Sequence, residues 1–115
     1  MTIRRDELRK IDFSDVSSGK RLAPVHPGNV LLKDFIEPME ISSYRVAKNI
    51  HVPKRRIDLI CRGEAAVSAD MALRLGRLFG TTPEFWFNLQ AQYDLEVVAR
   101  AMGKEIARAV VRLAA

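Results

Sequence analysis

Residues 43–63 read SYRVAKNIHVPKRRIDLICRG, two short helical patterns on either side of a tight turn. Apolar residues recur at helical spacing in each: Val46, Ala47 and Ile50 before the turn, Ile57, Ile60 and Cys61 after it. Helices joined so closely need a small residue where they cross, which Ala47 supplies, and an apolar anchor in the turn, which Val52 supplies. Val46, Ala47, Ile50, Val52, Ile57 and Ile60 meet these positional requirements together, and Gly63 follows as the left-handed residue that ends a helix. Any one of these positions means little. The set is that of a helix-turn-helix, whose second helix enters the major groove of DNA. His51 stands in the turn where a positive φ usually favours glycine, and histidine is among the non-glycine residues enriched there.

The charge of the chain lies in the same stretch. Lys and Arg number 19 and Asp and Glu 14, a net +5. Between residues 43 and 62, six basic residues (Arg45, Lys48, Lys54, Arg55, Arg56, Arg62) face Asp58 alone, which already gives +5; the other 95 residues hold 13 of each sign. A concentrated basic stretch on a neutral body is the electrostatic footprint of a nucleic-acid surface, although a solvated basic helix face carries the same charge. Steps of about 100° per residue from Ile57 put Ile60 and Cys61 toward the core, Arg55, Leu59 and Arg62 on the opposite side, and Asp58 at the edge. Lys54 lies in the first turn, where base contacts are commonly made. Arg55 and Arg62 suit bidentate readout of guanine O6/N7, worth about 1–3 kcal/mol of discrimination each. Asp58 can accept from cytosine N4 or orient Arg55 or Arg62, and the orienting role is expected. Leu59, exposed in an isolated domain, suits a thymine methyl. The base-reading set expected is thus Lys54, Arg55, Asp58, Leu59 and Arg62. Ser43, Arg45, Lys48 and Arg56 are expected on phosphates, which sets register without reading sequence.

The helical pattern extends outward from this motif. Pro27 suits a first helical position, followed by Leu31, Leu32, Phe35 and Ile36 at helical spacing, and Pro38 stops that helix. Ser42 caps the next, and Val52-Pro53 opens the one after. Ser68 caps a fourth helix with Met71, Ala72, Leu75, Leu78 and Phe79 inward, ended by Gly80. Thr82-Pro83 starts a fifth, whose Phe85, Trp86, Leu89 and Tyr93 form an aromatic face; the cluster of Phe79, Phe85, Trp86 and Leu89 is expected in the core. It continues through Leu95, Val97 and Val98 to Met102. Gly103 either breaks or weakens the pattern, and Ile106, Val110 and Leu113 then make an i, i+4, i+7 stripe. No stretch alternates with period two for long enough to make a strand. With 115 residues there is room for one domain. The expectation is an all-α chain: an N-terminal extension over 1–26, partly flexible; a five-helix helix-turn-helix domain over 27–102; and a C-terminal helix over 103–115. Within the extension, Leu8, Ile11 and Phe13 have the spacing for one short packed turn.

Several classes drop out. Cys61 is the lone cysteine, so neither an intramolecular disulfide nor a cysteine-based zinc site is expected. No apolar run approaches the roughly 20 residues of a membrane-spanning helix. The charged start (Arg4, Arg5, Asp6, Glu7, Arg9, Lys10) has no apolar segment behind it, unlike a secretory signal, and a cytoplasmic location is expected. The sequence has no HExxH, P-loop, nucleophile elbow or Cys/His cluster. Asp94 and Glu96 fall on different helix faces, and His51 has no second histidine near it. No catalytic residue, metal ligand or cofactor is expected, and the chain does not read as an enzyme.

Residues 26–100 resemble the HigA-type antitoxins, a branch of the phage-repressor-like (XRE) helix-turn-helix family. The matching pieces are His26-Pro27-Gly28, Phe35-Ile36-Glu37-Pro38, Val52-Pro53 with Arg55-Arg56-Ile57, Ala72-Leu73-Arg74-Leu75, residues 79–86 (FGTTPEFW), Asn88-Leu89-Gln90 and Tyr93-Asp94-Leu95-Glu96. The resemblance spans about 75 of the 115 residues, and its last third is highly characteristic. It implies a phage-repressor-like fold and a homodimer. It implies binding to double-stranded operator DNA, with repression of the chain's own toxin–antitoxin operon. It further implies neutralisation of a HigB-type toxin, a ribosome-dependent mRNA endonuclease. Members commonly dimerise through C-terminal elements, and Val97, Val98, Met102, Ile106, Val110 and Leu113 exceed what one small core needs.

Two positions depart from the pattern. Glu64-Ala65-Ala66 follows Gly63 where the family often carries further basic residues, and Asp58 replaces a frequent polar amide. An acid at Glu64 is expected to repel phosphate, and Asp58 implies a different operator sequence. Two other functions stand beside the leading one: a stand-alone regulator without a toxin and, motivated by Glu64 and Asp58, a toxin-neutralising protein that binds DNA weakly.

Overall fold

Residues 23–114 are described by a computed structural model, and the first helix begins at a side-chain cap. His26 Nδ1 accepts the Gly28 N–H at 2.8 Å, and Pro27 follows at the first helical position, where its missing N–H costs nothing. Helix α1 (Pro27–Val30) widens without a break into a π-helical segment, Leu31–Ile36, in which the Glu37 N–H reaches back five residues to the Leu32 carbonyl at 2.9 Å. The widening has a packing consequence. Leu31 and Ile36 are both buried, and five residues on an ordinary α-helix would turn them about 140° apart. With a residue added to the turn, both reach the core.

The remaining helices follow their predicted punctuation. Helix α2 (Ser43–Ile50) starts at Ser42, whose hydroxyl accepts the Arg45 N–H at 3.0 Å. His51 ends it in the left-handed conformation, φ 60° and ψ 49°, the backbone state expected of that turn position. Helix α3 (Lys54–Cys61) closes as Gly63 N–H donates to the Ile60 carbonyl and Glu64 N–H to the Leu59 carbonyl, a Schellman closure with Gly63 at φ 77°. Ser68 caps α4 (Ala69–Phe79), which Gly80 ends, and Thr82 caps α5 (Pro83–Ala109). Among the described residues there are five helices and no strand.

The core gathers Leu31, Val46, Ala47, Ile50, Ile57, Ile60, Val67, Met71, Ala72, Leu75 and Trp86. Burying each of the larger side chains is worth about 1.5–3 kcal/mol. Trp86 is fully buried, and its indole N–H is satisfied by Thr81 Oγ1 at 2.7 Å. Its ring packs against Phe35, Phe79 and Phe85 with centroids 5.2, 6.3 and 5.0 Å away. Phe85 departs from the expected core role: its ring meets Trp86 edge-on but stays 39% exposed, because it lies on the rim of the cluster.

Gly28 sets the approach of α1 to α3. A Cβ at this position would lie 1.7 Å from the Ile60 carbonyl oxygen and 2.6 Å from its carbon. On the far side, the His26 ring sits over Gly63 and meets Tyr93 of α5 edge-on, centroids 4.8 Å apart.

The expected separate C-terminal helix over 103–115 is not formed. Helix α5 runs through Gly103 to Ala109, and Val110 onward leaves the helix with φ −101° and ψ 117°. A glycine costs about 1 kcal/mol relative to alanine inside a helix, too little to stop one flanked by Ala, Met, Lys and Glu. Val110-Val111, both β-branched, are where the helix ends instead. The stripe Ile106, Val110, Leu113 is therefore helical only at Ile106. The expected packed turn at Leu8, Ile11 and Phe13, and all of the extension before residue 23, lie outside the described residues.

Gly28→Ala is expected to destabilise the fold by about 3 kcal/mol or more, since a backbone carbonyl must move to admit the methyl group. Chemical denaturation measures this. His26 gives a pH signature. Burial lowers its pKa from 6.5, opposed in part by the Asp94 charge, so the unfolded chain takes up the proton first as pH falls. The stability this provides is complete above 6.5 and is lost as pH falls through the lowered folded value. The thermal midpoint should drop from neutral to mildly acidic pH. His26→Asn, which keeps an acceptor at the cap, should remove that component of the drop.

Candidate nucleic-acid interface

The turn and the Schellman closure hold α3 so that its inner side, Ile57 and Ile60, is buried while its other sides meet solvent. Lys54, Arg55 and Arg56 are exposed on it and Arg62 just past its end, and Arg45 and Lys48 are exposed on the adjoining α2. Among the described residues, Arg45, Lys48, Arg55, Arg56 and Arg62 are in no ion pair. Five unneutralised cations, four on two adjacent helices and one at the end of the second, make a surface suited to a polyanion.

Asp58 has a different role from the one expected. Its Oδ2 accepts Lys54 Nζ at 2.7 Å and its Oδ1 accepts the Ser43 hydroxyl at 2.8 Å. It thus orients Lys54 and Ser43, not Arg55 or Arg62. Lys54 stands four residues before Asp58 on the same face, the favourable helical spacing, whereas Arg62 lies past the last helical residue with φ −88° and ψ 0°. The hydrogen bond from Lys54, then that from Ser43, hold the Asp58 carboxyl below its ordinary value, with the positive charges of Lys54 and Arg62 adding to the effect. Ser43, expected on phosphate, has its proton engaged by Asp58.

Leu59 is half-buried, not exposed as expected, and its carbonyl accepts the Glu64 N–H where the chain turns back after Gly63. Glu64 is exposed just beyond that closure. A cleft of about 340 Å³ beside the basic surface is lined by Leu32, Ile36, Ser43, Asp58, Cys61 and Arg62. Burial pushes the Cys61 thiol up to about 11, which keeps it neutral at physiological pH. Among the described residues, no group of three or more His, Cys, Asp or Glu is placed to hold a metal, and no helix is long and apolar enough to cross a membrane.

Two positioning residues escaped the sequence reading. Arg74 of α4 donates from Nη1 to the Ile50 carbonyl at 2.6 Å, tying down the C-terminal end of α2, while its Nε bonds Asp70 at 2.6 Å. Gln90 of α5 is 94% buried. Its Oε1 accepts the Val67 N–H at 2.8 Å, and its Nε2 donates to Asp94 Oδ1 at 2.9 Å. This pins the segment leaving α3 to α5. The available signal was a polar residue one helical turn after Trp86, on the side facing the core.

The outer side of α5 is apolar and uncovered. Leu95, Val98, Met102 and Ile106 are 73, 48, 45 and 43% exposed there, whereas Val97, expected with them, lies on the side of Trp86 and Gln90 and is 39% exposed. Val110 and Leu113 are exposed beyond the helix end.

No family model matches the chain. Curated and solved relatives do. Virulence-associated protein I of Dichelobacter nodosus is 40% identical over 83 residues, 71% of this chain and 77% of that protein. The structure of the Pseudomonas aeruginosa antitoxin HigA with the higBA promoter superposes with a TM-score of 0.76 at 38% identity, covering 79% of this chain and 99% of that one. The antitoxin GraA in complex with its operator gives a TM-score of 0.77 at 41% identity, over 82% of this chain and 95% of that one.

Proposed function

We propose, since this chain belongs to the HigA family of helix-turn-helix antitoxins and regulators, that it binds the operator of its own operon through α2 and α3, represses that operon, and neutralises a HigB-type mRNA endonuclease toxin. The family is non-enzymatic. The observation that carries the DNA-binding reading is the unpaired basic surface of α2 and α3. Two relatives solved on promoter or operator DNA support it. In this reading α3 lies in the major groove. Arg55 and Arg62 read guanines there, and Leu59 offers the exposed part of its side chain to a thymine methyl. Arg45, Lys48 and Arg56 hold phosphates, and Lys54 and Asp58 act at the base edges as a linked pair.

The protein acts as a homodimer. The apolar outer face of α5 supports this assignment, with Leu95, Val98, Met102 and Ile106 on the helix and Val110 and Leu113 just past its end, whereas Val97 lies on the side of Trp86 and Gln90. A monomer leaves that face in water, and pairing two copies gives the two-fold symmetry that matches paired half-sites on DNA. The second reading, toxin neutralisation with weak DNA binding, is favoured by Glu64, an exposed acid next to the basic helix. A gel shift on the DNA upstream of the gene separates the two.

The variant Arg55→Ala/Arg62→Ala should lose its preference for that upstream DNA over random duplex, by about 1–3 kcal/mol per guanine contact. Operator binding at the native level would remove both arginines from the groove. For the native chain, log affinity should fall with log salt at a slope of about −0.9 per phosphate contact. In sedimentation at micromolar concentration, the native chain should be a dimer and Met102→Glu/Ile106→Glu a monomer. A monomeric native chain overturns the α5 assignment.

A further inference from the structure

Asp58 is the lone acid in the basic stretch, and its surroundings are built around it. Its two carboxylate oxygens take donors from two different helices, the Ser43 hydroxyl at the start of α2 and the Lys54 ammonium at the start of α3, at 2.8 and 2.7 Å. Ser43 and Asp58 also line the cleft between these helices and the π-helical segment, together with Arg62. The carboxylate therefore does two things at once. It occupies a cation that would otherwise be free to meet phosphate, and it is held in one place beside Arg62.

We infer that the Ser43–Asp58–Lys54 linkage is a specificity device, in which Asp58 lowers affinity for arbitrary DNA and demands an amino donor from the base edge it meets. The inference rests on the reading that α3 enters the major groove. Binding to arbitrary duplex is governed by phosphate contacts, so holding Lys54 on Asp58 removes one contact per protomer from that term. At a base edge, the carboxylate can be satisfied by cytosine N4 or adenine N6. Guanine and thymine offer N7, O6 or O4 acceptors there, and these repel it. Accepting a base donor does not require Ser43 or Lys54 to leave, because an ionised carboxylate has about four acceptor sites. Asp58 is thus a positioning residue for Lys54 and a discriminating residue in its own right. An asparagine of the same size would keep an acceptor for Ser43 but release the ammonium.

The test is fluorescence anisotropy with the full chain, using a labelled duplex of the sequence upstream of its own gene and a scrambled duplex of the same composition, over a series of salt concentrations. The native chain should prefer the upstream duplex. Asp58→Asn should bind the scrambled duplex more tightly and lose about tenfold in the ratio between the two. Its salt slope on the scrambled duplex should steepen by about 0.9 per protomer. In a Lys54→Ala background, adding Asp58→Asn should leave that slope unchanged, an outcome that general loosening of α3 would not give. Circular dichroism and the thermal midpoint report folding. Ser43→Ala, which leaves the Lys54 pair in place, is a second variant, expected to lower the ratio with no change in slope. An unchanged ratio and slope in Asp58→Asn, with the native preference intact, overturns the inference and leaves the groove reading standing. Equal binding of both duplexes by the native chain overturns both.

Discussion

The place of α3 against the body depends on a backbone-to-backbone approach for which only glycine leaves room. Gly28 of α1 lies so close to the Ile60 carbonyl that a methyl group has no room. The buried faces of α1 and α3 meet there with no side chain between them. The His26 cap, the π-helical turn that brings Leu31 and Ile36 to the same core, and the His26–Tyr93 ring contact all lie around this approach. The surface proposed for DNA is thus anchored from behind by packing, while its outer residues make few bonds of their own.

Polar links then join the basic surface to the rest of the molecule. Arg74 holds the end of α2 through the Ile50 carbonyl, and Gln90 holds the segment after α3 through the Val67 amide. Both satisfy backbone groups that the helices leave without partners, which matters most where water is excluded. Helix α5 has two roles along its length. Its first half carries Trp86 and Gln90 into the core, and its second half presents an uncovered apolar side. A single helix spanning both places the proposed dimer contact and the support of α3 on one rigid body.

The punctuation of the helices was legible in the sequence because caps act locally. Ser42, Ser68 and Thr82 each accept a backbone N–H three residues on, and Gly63 and Gly80 take positive φ, whatever the rest of the chain does. The unusual His51 conformation was legible for the same reason. So was the basic surface, since charge and 3.6-residue periodicity are properties of the chain alone. The π-helical widening was not legible, because it answers the positions of neighbours in the core. Nor was the continuity of α5 through Gly103, where a penalty of about 1 kcal/mol had to be weighed against good helix formers on both sides.

The sequence alone determined an all-α chain, the helix-turn-helix and a +5 charge gathered on its two helices, since these follow from residue type and spacing. Only the tertiary structure decided which partner each polar group takes. Asp58 had Lys54, Arg55 and Arg62 within helical reach, and its bonds to Lys54 and Ser43 follow from where the turn sets α2 beside α3 and from where α3 ends. Leu59, placed on the outer face by periodicity, is half-buried in the fold. Periodicity says which side of a helix faces the core. Which neighbours stand at its edges depends on how two helices cross, and that is set by contacts far apart in the chain, Gly28 on Ile60 foremost.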